Sequence, residues 1–151
     1  MHTVEAVKKI KAPCQDVWRL IWEIKSWACF WDPLHAVEVL YDDGFHQDFT
    51  MSVTWQNRES RVRTVRFRGG DGEIHFFSPE PPLPTAVHHG VWKLTANQDG
   101  TTTLAAMRSF DLPPFEEENF KNYSERLKIF SEGFQRRLGK LVEKLGSACE
   151  K

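Results

Sequence analysis

Cysteine is scarce in this 151-residue chain, with only Cys14, Cys29 and Cys149. They are odd in number, far apart and without metal-ligand spacing, so neither a disulfide framework nor a metal site is expected, and a reducing, cytoplasmic setting is. No apolar run approaches the roughly 20 residues that span a bilayer. The opening MHTVEAVKKIKAP has no apolar core ahead of a cleavage site, so neither a signal peptide nor a membrane partner is expected. The triplet Asn122-Tyr123-Ser124 matches a glycosylation acceptor only in pattern. Charge of one sign is also lacking: 20 Lys and Arg against 21 Asp and Glu leave a net charge of −1. A dedicated nucleic-acid binder is usually basic overall, so nucleic acid is not an expected partner. There is no internal repeat, and the prolines are too few and local to make a linker. One domain spanning 1–151 is the simplest organisation, and a chain of this size buries roughly 70% of its unfolded surface without a covalent staple.

Aromatic side chains are abundant, 13% of the chain, with six Trp and eleven Phe but only two Tyr. They furnish either a large aromatic core or a cavity walled by flat, rigid groups. Residues 3–11 alternate weakly and predict a first strand. Ala12-Pro13 opens a helix carrying Val17, Leu20, Ile21 and Ile24 at helical spacing, with Trp18 and Trp22 one turn apart. Ser26 is placed to cap a second short helix, Trp27–Trp31, which Asp32-Pro33 ends. Residues 36–41 predict a strand and Asp43-Gly44 a turn.

From Phe45 to Trp55 the alternation is clean. Phe45, Phe49, Met51, Val53 and Trp55 share one face, and His46, Asp48, Thr50, Ser52 and Thr54 the other, as in an antiparallel sheet wet on one side. The run QNRES turns the chain, and further strands are predicted at 73–77, 87–94 and 101–112. The stretch SPEPPLP lies between the first two of these, and Asp99-Gly100 makes a hairpin before the last. From Glu116 to about Leu145, apolar residues step by threes and fours, predicting a helix of about 30 residues or ~45 Å. A helix so long and one-sided needs a partner surface along its whole length. A curved antiparallel sheet of about six or seven strands wrapped around it, with the two short helices closing one edge, meets that need and leaves an internal cavity. The fold class is α+β.

The strand ESRVRTVRFRG (59–69) poses a problem. Successive side chains alternate faces, so Arg61 and Arg63 go with Val65 and Phe67, and Arg66 and Arg68 with Val62 and Thr64. Either a bulge near Thr64–Val65 shifts the register, or an arginine faces the interior, where a guanidinium is costly unless paired.

Four stretches carry a wider likeness: IKAPCQDVWRLIWEIKSW (10–27), AVEVL (36–40), PEPPLPTAVHHGVWKL (79–94) and DGTTTLAAMRSFDL (99–112). With the order of elements, they resemble the helix-grip fold of the START-like (SRPBCC) superfamily. Within it they are most similar to the single-domain aromatase/cyclases of bacterial type II polyketide synthases. The resemblance implies a cofactor-independent, metal-free cyclase/dehydratase. Its partner would be an acyl carrier protein bearing a poly-β-ketone, which closes a ring by intramolecular aldol condensation and loses water.

That family has a pocket arginine near the end of the fourth strand, and Arg66 falls at the matching place, leaving Arg61 and Arg63 to water. A fixed guanidinium stabilises the enolate and alkoxide of an aldol closure. Arg68 shares the parity of Arg66 and is the fallback. Arg108 is a lone cation in the stripe Leu104, Ala106, Arg108, Phe110, Leu112. His88 faces inward if Trp92 does, and then offers an acid or base near neutral pH; His35 is a rim candidate. Trp27, Trp31, Phe49, Trp55, Phe77 and Trp92 are candidate walls, and Phe120, Tyr123 and Phe130 a candidate floor. Two rival readings stay open. One is a non-catalytic carrier of a lipid, quinone or aromatic metabolite. The other is a module using the four strand arginines on one exposed face to bind nucleic acid or an acidic partner. Monomer and homodimer are both compatible with the sequence.

Overall fold

The computed structural model describes residues 1–55 and 57–151; of the predicted turn QNRES, Gln56 lies outside the described residues. Strand β1 (His2–Ile10) is followed by helix α1 (Cys14–Trp22) and a 3-10 helix (Ile24–Cys29). Six strands follow: β2 (Leu34–Asp42), β3 (His46–Trp55), β4 (Arg58–Gly69), β5 (Glu73–Glu80), β6 (Val87–Ala96) and β7 (Thr102–Asp111). The chain ends in helix α2 (Phe120–Cys149), 30 residues long. The second short helix starts earlier than its sequence predicts. Ser26 lies inside it and its hydroxyl donates to the Glu23 carbonyl at 2.7 Å, so it is not the N-cap.

All seven strands form one antiparallel sheet in the order β1-β7-β6-β5-β4-β3-β2. The sequential hairpins β2 through β7 account for most of this order, and β1 returns to pair with β7. The sheet curls around α2, whose Leu138, Leu141, Val142 and Leu145 are buried against it. α2 lies along the edge strand β1. Gln135 accepts from the Glu5 backbone N–H at 3.1 Å and donates to the Glu5 carbonyl, satisfying that strand edge with a side-chain amide.

α2 begins at Phe120, later than the Glu116 start that the apolar stepping predicts. The side chain of Asn119 accepts from the Asn122 N–H at 2.8 Å as the N-cap. Arg126 ties the preceding loop down through Glu118 at 2.9 and 3.0 Å and through the Pro113 carbonyl at 2.8 Å. Phe120 therefore sits in the first, solvated turn.

On β4 the alternation runs unbroken. Val62, Thr64 and Arg66 are buried, while Arg61 and Arg68 are exposed. A register shift does occur between Arg63 and Val65, but only in the β4–β5 pairing: Val65 pairs with Phe77 and Arg63 with Glu80, so the extra residue is on β5, beside Pro79. The β3–β4 register is continuous. The arginine puzzle is thus resolved by an inward guanidinium and not by a bulge in its own strand.

Candidate active site

Arg66 is 2% exposed and lies between the rings of Trp22 and Phe49, 5.2 and 5.0 Å from their centroids. Its Nη1 donates to the Ile21 carbonyl and its Nη2 to the Trp22 carbonyl, both at 2.9 Å. Its Nε donates to Gln47 Oε1 at 2.9 Å, and Nη2 donates to that same oxygen. Gln47 in turn donates to the Trp22 carbonyl at 3.0 Å and to Asp42 at 3.1 Å. Burial pulls the Arg66 pKa down to about 9, while the Asp42 carboxylate opposes the shift. The group stays charged at neutral pH. It joins the C-terminal end of α1 to the sheet, capping carbonyls that a helix end leaves without intrahelical partners.

Arg108 is also buried, but is held differently. It lies over Phe76 at 4.5 Å and Trp92 at 4.4 Å, and its one hydrogen bond to a described residue runs from Nη1 to the Met107 carbonyl at 3.1 Å. Burial, reinforced by the nearby Arg66 cation, lowers its pKa to about 9. It has no carboxylate partner among the described residues.

His88 points inward with Trp92 and touches Phe76, centroid to centroid at 5.1 Å, and Phe134 at 5.7 Å. Its Nδ1 lies 3.1 Å from Ser78 Oγ, which lies 3.2 Å from Thr64 Oγ1. Among the described residues its buried Nε2 has no hydrogen-bond partner. Burial, then the Arg108 cation, then His89, push its pKa to about 3. The ring is therefore neutral at physiological pH and does not switch near pH 7 as its ordinary pKa implies.

Trp27 and Trp31 join the same interior. Trp27 meets Trp92 edge-on and Trp31 edge-on, both at 5.9 Å, and donates its ring N–H to the Leu20 carbonyl at 2.9 Å. The line Trp31–Trp27–Trp92–Arg108–Phe76–His88 is continuous, and Phe110, Phe130 and Phe134 close it on the α2 side. Beside Phe130, a cleft of about 560 Å³ opens between α2 and the Trp55–Arg58 end of the β3–β4 hairpin, with Leu83 and Pro84 on its rim.

Other expected site residues lie elsewhere. Phe77 is 52% exposed because β5 turns Phe76, not Phe77, to the interior. Phe120 is 84% exposed in the first turn of α2 and is no cavity floor. Arg68 is exposed and clamped outside, over Trp18 at 4.6 Å and Phe45 at 5.1 Å. Phe45 itself is exposed in the turn before β3 and does not join the Phe49 face. Tyr123 spends its hydroxyl on the Leu112 carbonyl at 2.7 Å. Trp55 lines the open cleft, not a sealed wall. His35 is near Thr54 on the β2–β3 surface, away from this interior.

Sequence reasoning missed Phe76, Ser78, Thr64 and Gln47. The parity of Gln47 with Phe49, and of Ser78 with Ile74 and Phe76, was available. Reading the strand as ending at Phe77, before Ser78-Pro79, hid the latter. Among the described residues no three His, Cys, Asp or Glu side chains converge as a metal site, and no helix is long and apolar enough to cross a membrane.

A seven-stranded antiparallel sheet gripping a long C-terminal helix is the helix-grip fold. The family model for polyketide cyclase/dehydrase and lipid transport matches residues 10–117, well over half of the chain. The chain belongs to that family. Three solved structures are similar over nearly the whole fold. The Zhui aromatase/cyclase from Streptomyces sp. R1128 is 16% identical with a TM-score of 0.83, covering 99% of this chain and 93% of that one. A Thermus thermophilus protein, TTHA0849, is 17% identical, TM-score 0.81, covering 98% and 97%. A START superfamily protein from Mycobacterium smegmatis is 12% identical, TM-score 0.69, covering 96% and 99%. At these identities the likeness establishes the fold. Among curated proteins none matches the sequence.

Proposed function

We propose that the chain is a polyketide aromatase/cyclase that directs aldol cyclisation and dehydration of a carrier-bound poly-β-ketone. The observation that carries this reading is the Arg108–His88 pair. A guanidinium with one protein hydrogen bond and an imidazole with an unpartnered Nε2 both lie against the Phe76 ring. An interior built only for apolar packing has no use for a cation with one hydrogen bond and an imidazole with an unpartnered nitrogen, each of which costs desolvation.

The chemistry follows from the donors. In the aldol step a methylene carbon loses a proton, attacks a carbonyl carbon of the same chain, and the carbonyl oxygen becomes an alkoxide that takes up a proton. Arg108 presents unengaged N–H groups to that oxygen in a water-poor, aromatic setting, where one such donor is worth about 2.7–4 kcal/mol. Its charge persists, because even a lowered pKa of about 9 lies above neutrality. Neutral His88 hydrogen-bonds an enol or carbonyl of the folded chain, with Ser78 and Thr64 holding the ring. Loss of the new hydroxyl as water then aromatises the ring. Arg66 positions the α1 end of the pocket. Trp27, Trp31 and Trp92 offer flat surfaces against an extended chain.

The test is reconstitution with a minimal polyketide synthase, adding this protein or Arg108→Met and reading products by mass spectrometry. The expected result is one aromatic ring system with the wild type and spontaneous shunt products with the variant. If the wild type leaves the mixture unchanged across several chain lengths, the cyclase reading fails and a carrier remains.

A further inference from the structure

The cleft beside Phe130 carries a cation cluster that the reaction above does not use. Its lining includes Arg58, Arg126, Arg136, Arg137 and Lys140 against two carboxylates, Glu59 and Glu125. Arg126 is taken by Glu118. The others make no ion pair among the described residues, in a protein whose net charge is −1. The cleft therefore carries a local excess of positive charge in a nearly neutral protein.

Two of these cations converge. Arg136 and Arg137 are adjacent on α2, where neighbouring side chains normally diverge by about 100°. Both fold back onto the bare backbone of Gly133. A Cβ built there would sit 3.2 Å from Arg137 Nη1 and 3.8 Å from Arg136 Nη2. The Arg137 guanidinium also lies over Trp55, 4.1 Å from the ring centroid, and near Phe130 and Phe134 at 5.6 and 5.4 Å. A glycine in mid-helix is unfavourable; this one clears the space into which two like charges are drawn together. Burial, with the neighbouring Arg136, lowers the Arg137 pKa to about 10, as expected for a cation short of counter-charge.

We propose that this end of the cleft is a receptor for a phosphate group on an aromatic or extended small molecule, with Arg136 and Arg137 as its clamps and Trp55 as the surface beneath. A phosphate accepts from two guanidiniums on separate faces and carries more charge than a carboxylate, which matches a mouth with several free cations. The site stands on its own geometry and does not depend on the cyclase reading.

Isothermal titration calorimetry with naphthyl phosphate, naphthol and naphthoate tests it, on the wild type and on Arg137→Gln, Arg136→Gln and Gly133→Ala. Naphthyl phosphate is expected to bind about tenfold or more tightly than naphthol, less tightly as salt rises. Arg137→Gln removes that advantage and leaves naphthol binding unchanged. Gly133→Ala places a methyl 3.2 Å from Arg137 Nη1, which shifts by a few tenths of an ångström, so a modest loss of phosphate binding is expected. Arg136→Gln, expected to weaken phosphate binding and not naphthol binding, serves if Arg137→Gln misfolds. A methyl naphthyl phosphate diester separates a chain-linked phosphate from a terminal one, and binding of either supports the site. Equal affinity for phosphate and naphthol, equal affinity for naphthoate, or phosphate binding untouched in folded Arg137→Gln overturns the proposal. Phosphate binding by a protein that fails the reconstitution assay would sink the cyclase reading and leave this site intact.

Discussion

The guanidinium of Arg66 donates to the carbonyl oxygen of Trp22 at 2.9 Å, across 44 residues of chain. That bond and its companions to Ile21 and Gln47 join α1 to the middle of the sheet. Removing the side chain strands the buried Ile21 carbonyl and Gln47 Oε1, and leaves the Trp22 carbonyl with the Gln47 amide as its side-chain donor. Arg66→Ala is expected to cost about 3–5 kcal/mol in urea denaturation. Arg66→Lys should recover little, since an ammonium does not reproduce the planar fork. A variant within about 1 kcal/mol of wild type, on the scale of about ±0.5 for surface changes, would refute this structural role.

Arg108 should behave in the opposite sense. It has little to lose in partners, so Arg108→Met is expected to leave stability unchanged or raised, as hydrophobic replacement of buried charge often does. Cyclisation should fall by about 100-fold or more, the usual cost of a lost oxyanion donor. Stability from urea melts and turnover from product formation are read on the same preparation. A loss of stability without loss of turnover would assign Arg108 to the scaffold.

His88 makes a signed pH prediction. Its folded pKa, about 3, lies below the unfolded value of 6.5, so between these limits the unfolded chain binds the extra proton. Its stabilising effect is full above pH 6.5 and is lost as pH falls toward 3, by up to about 1.4 kcal/mol per pH unit. Denaturation midpoints of the wild type should drop between about pH 6.5 and 4.5, above the range in which ordinary carboxylates titrate. His88→Gln should flatten that slope; an unchanged slope would show that His88 is not the group responsible.

Phe76 and Phe77 are adjacent and predicted to differ sharply. Phe76 is buried beneath Arg108 and against His88, so Phe76→Ala should cost about 3–5 kcal/mol. Phe77 stands on the outer face, and Phe77→Ala should stay within about 1 kcal/mol. Thermal melts of the two variants check the facing of β5 directly; equal losses would contradict it.

Much of the fold is legible in the residues. The clean alternation of β3, the glycine turns and the long threes-and-fours stripe of α2 each report a local period. Periodicity depends only on backbone geometry and burial of one face. Parity groups Arg66 with Val62 and Thr64, His88 with Trp92, and Arg108 with Leu104 and Phe110; the choice of Arg66 as the inward arginine comes from the family resemblance. Parity misleads where it needs an anchor that local sequence lacks. Phe77 as a wall has no such anchor; the alternation of Ile74, Phe76 and Ser78 turns Phe76 inward instead. Phe120 and Tyr123 fall in the cavity only if α2 starts too early; Asn119 caps it.

By itself, then, the sequence determined the α+β class, the one-sided helix and which faces of the strands are apolar, because these are consequences of local period. The tertiary structure alone decided what each buried polar group meets. Arg66 and Arg108 look equivalent as single cations on inward strand faces. One reaches the end of α1 and finds three carbonyl oxygens, Ile21, Trp22 and the Gln47 amide; the other finds two rings and one carbonyl. That difference is set by contacts tens of residues apart, to which no local pattern is sensitive. It separates an arginine whose donors are taken up by the fold from one with a single hydrogen bond among the described residues.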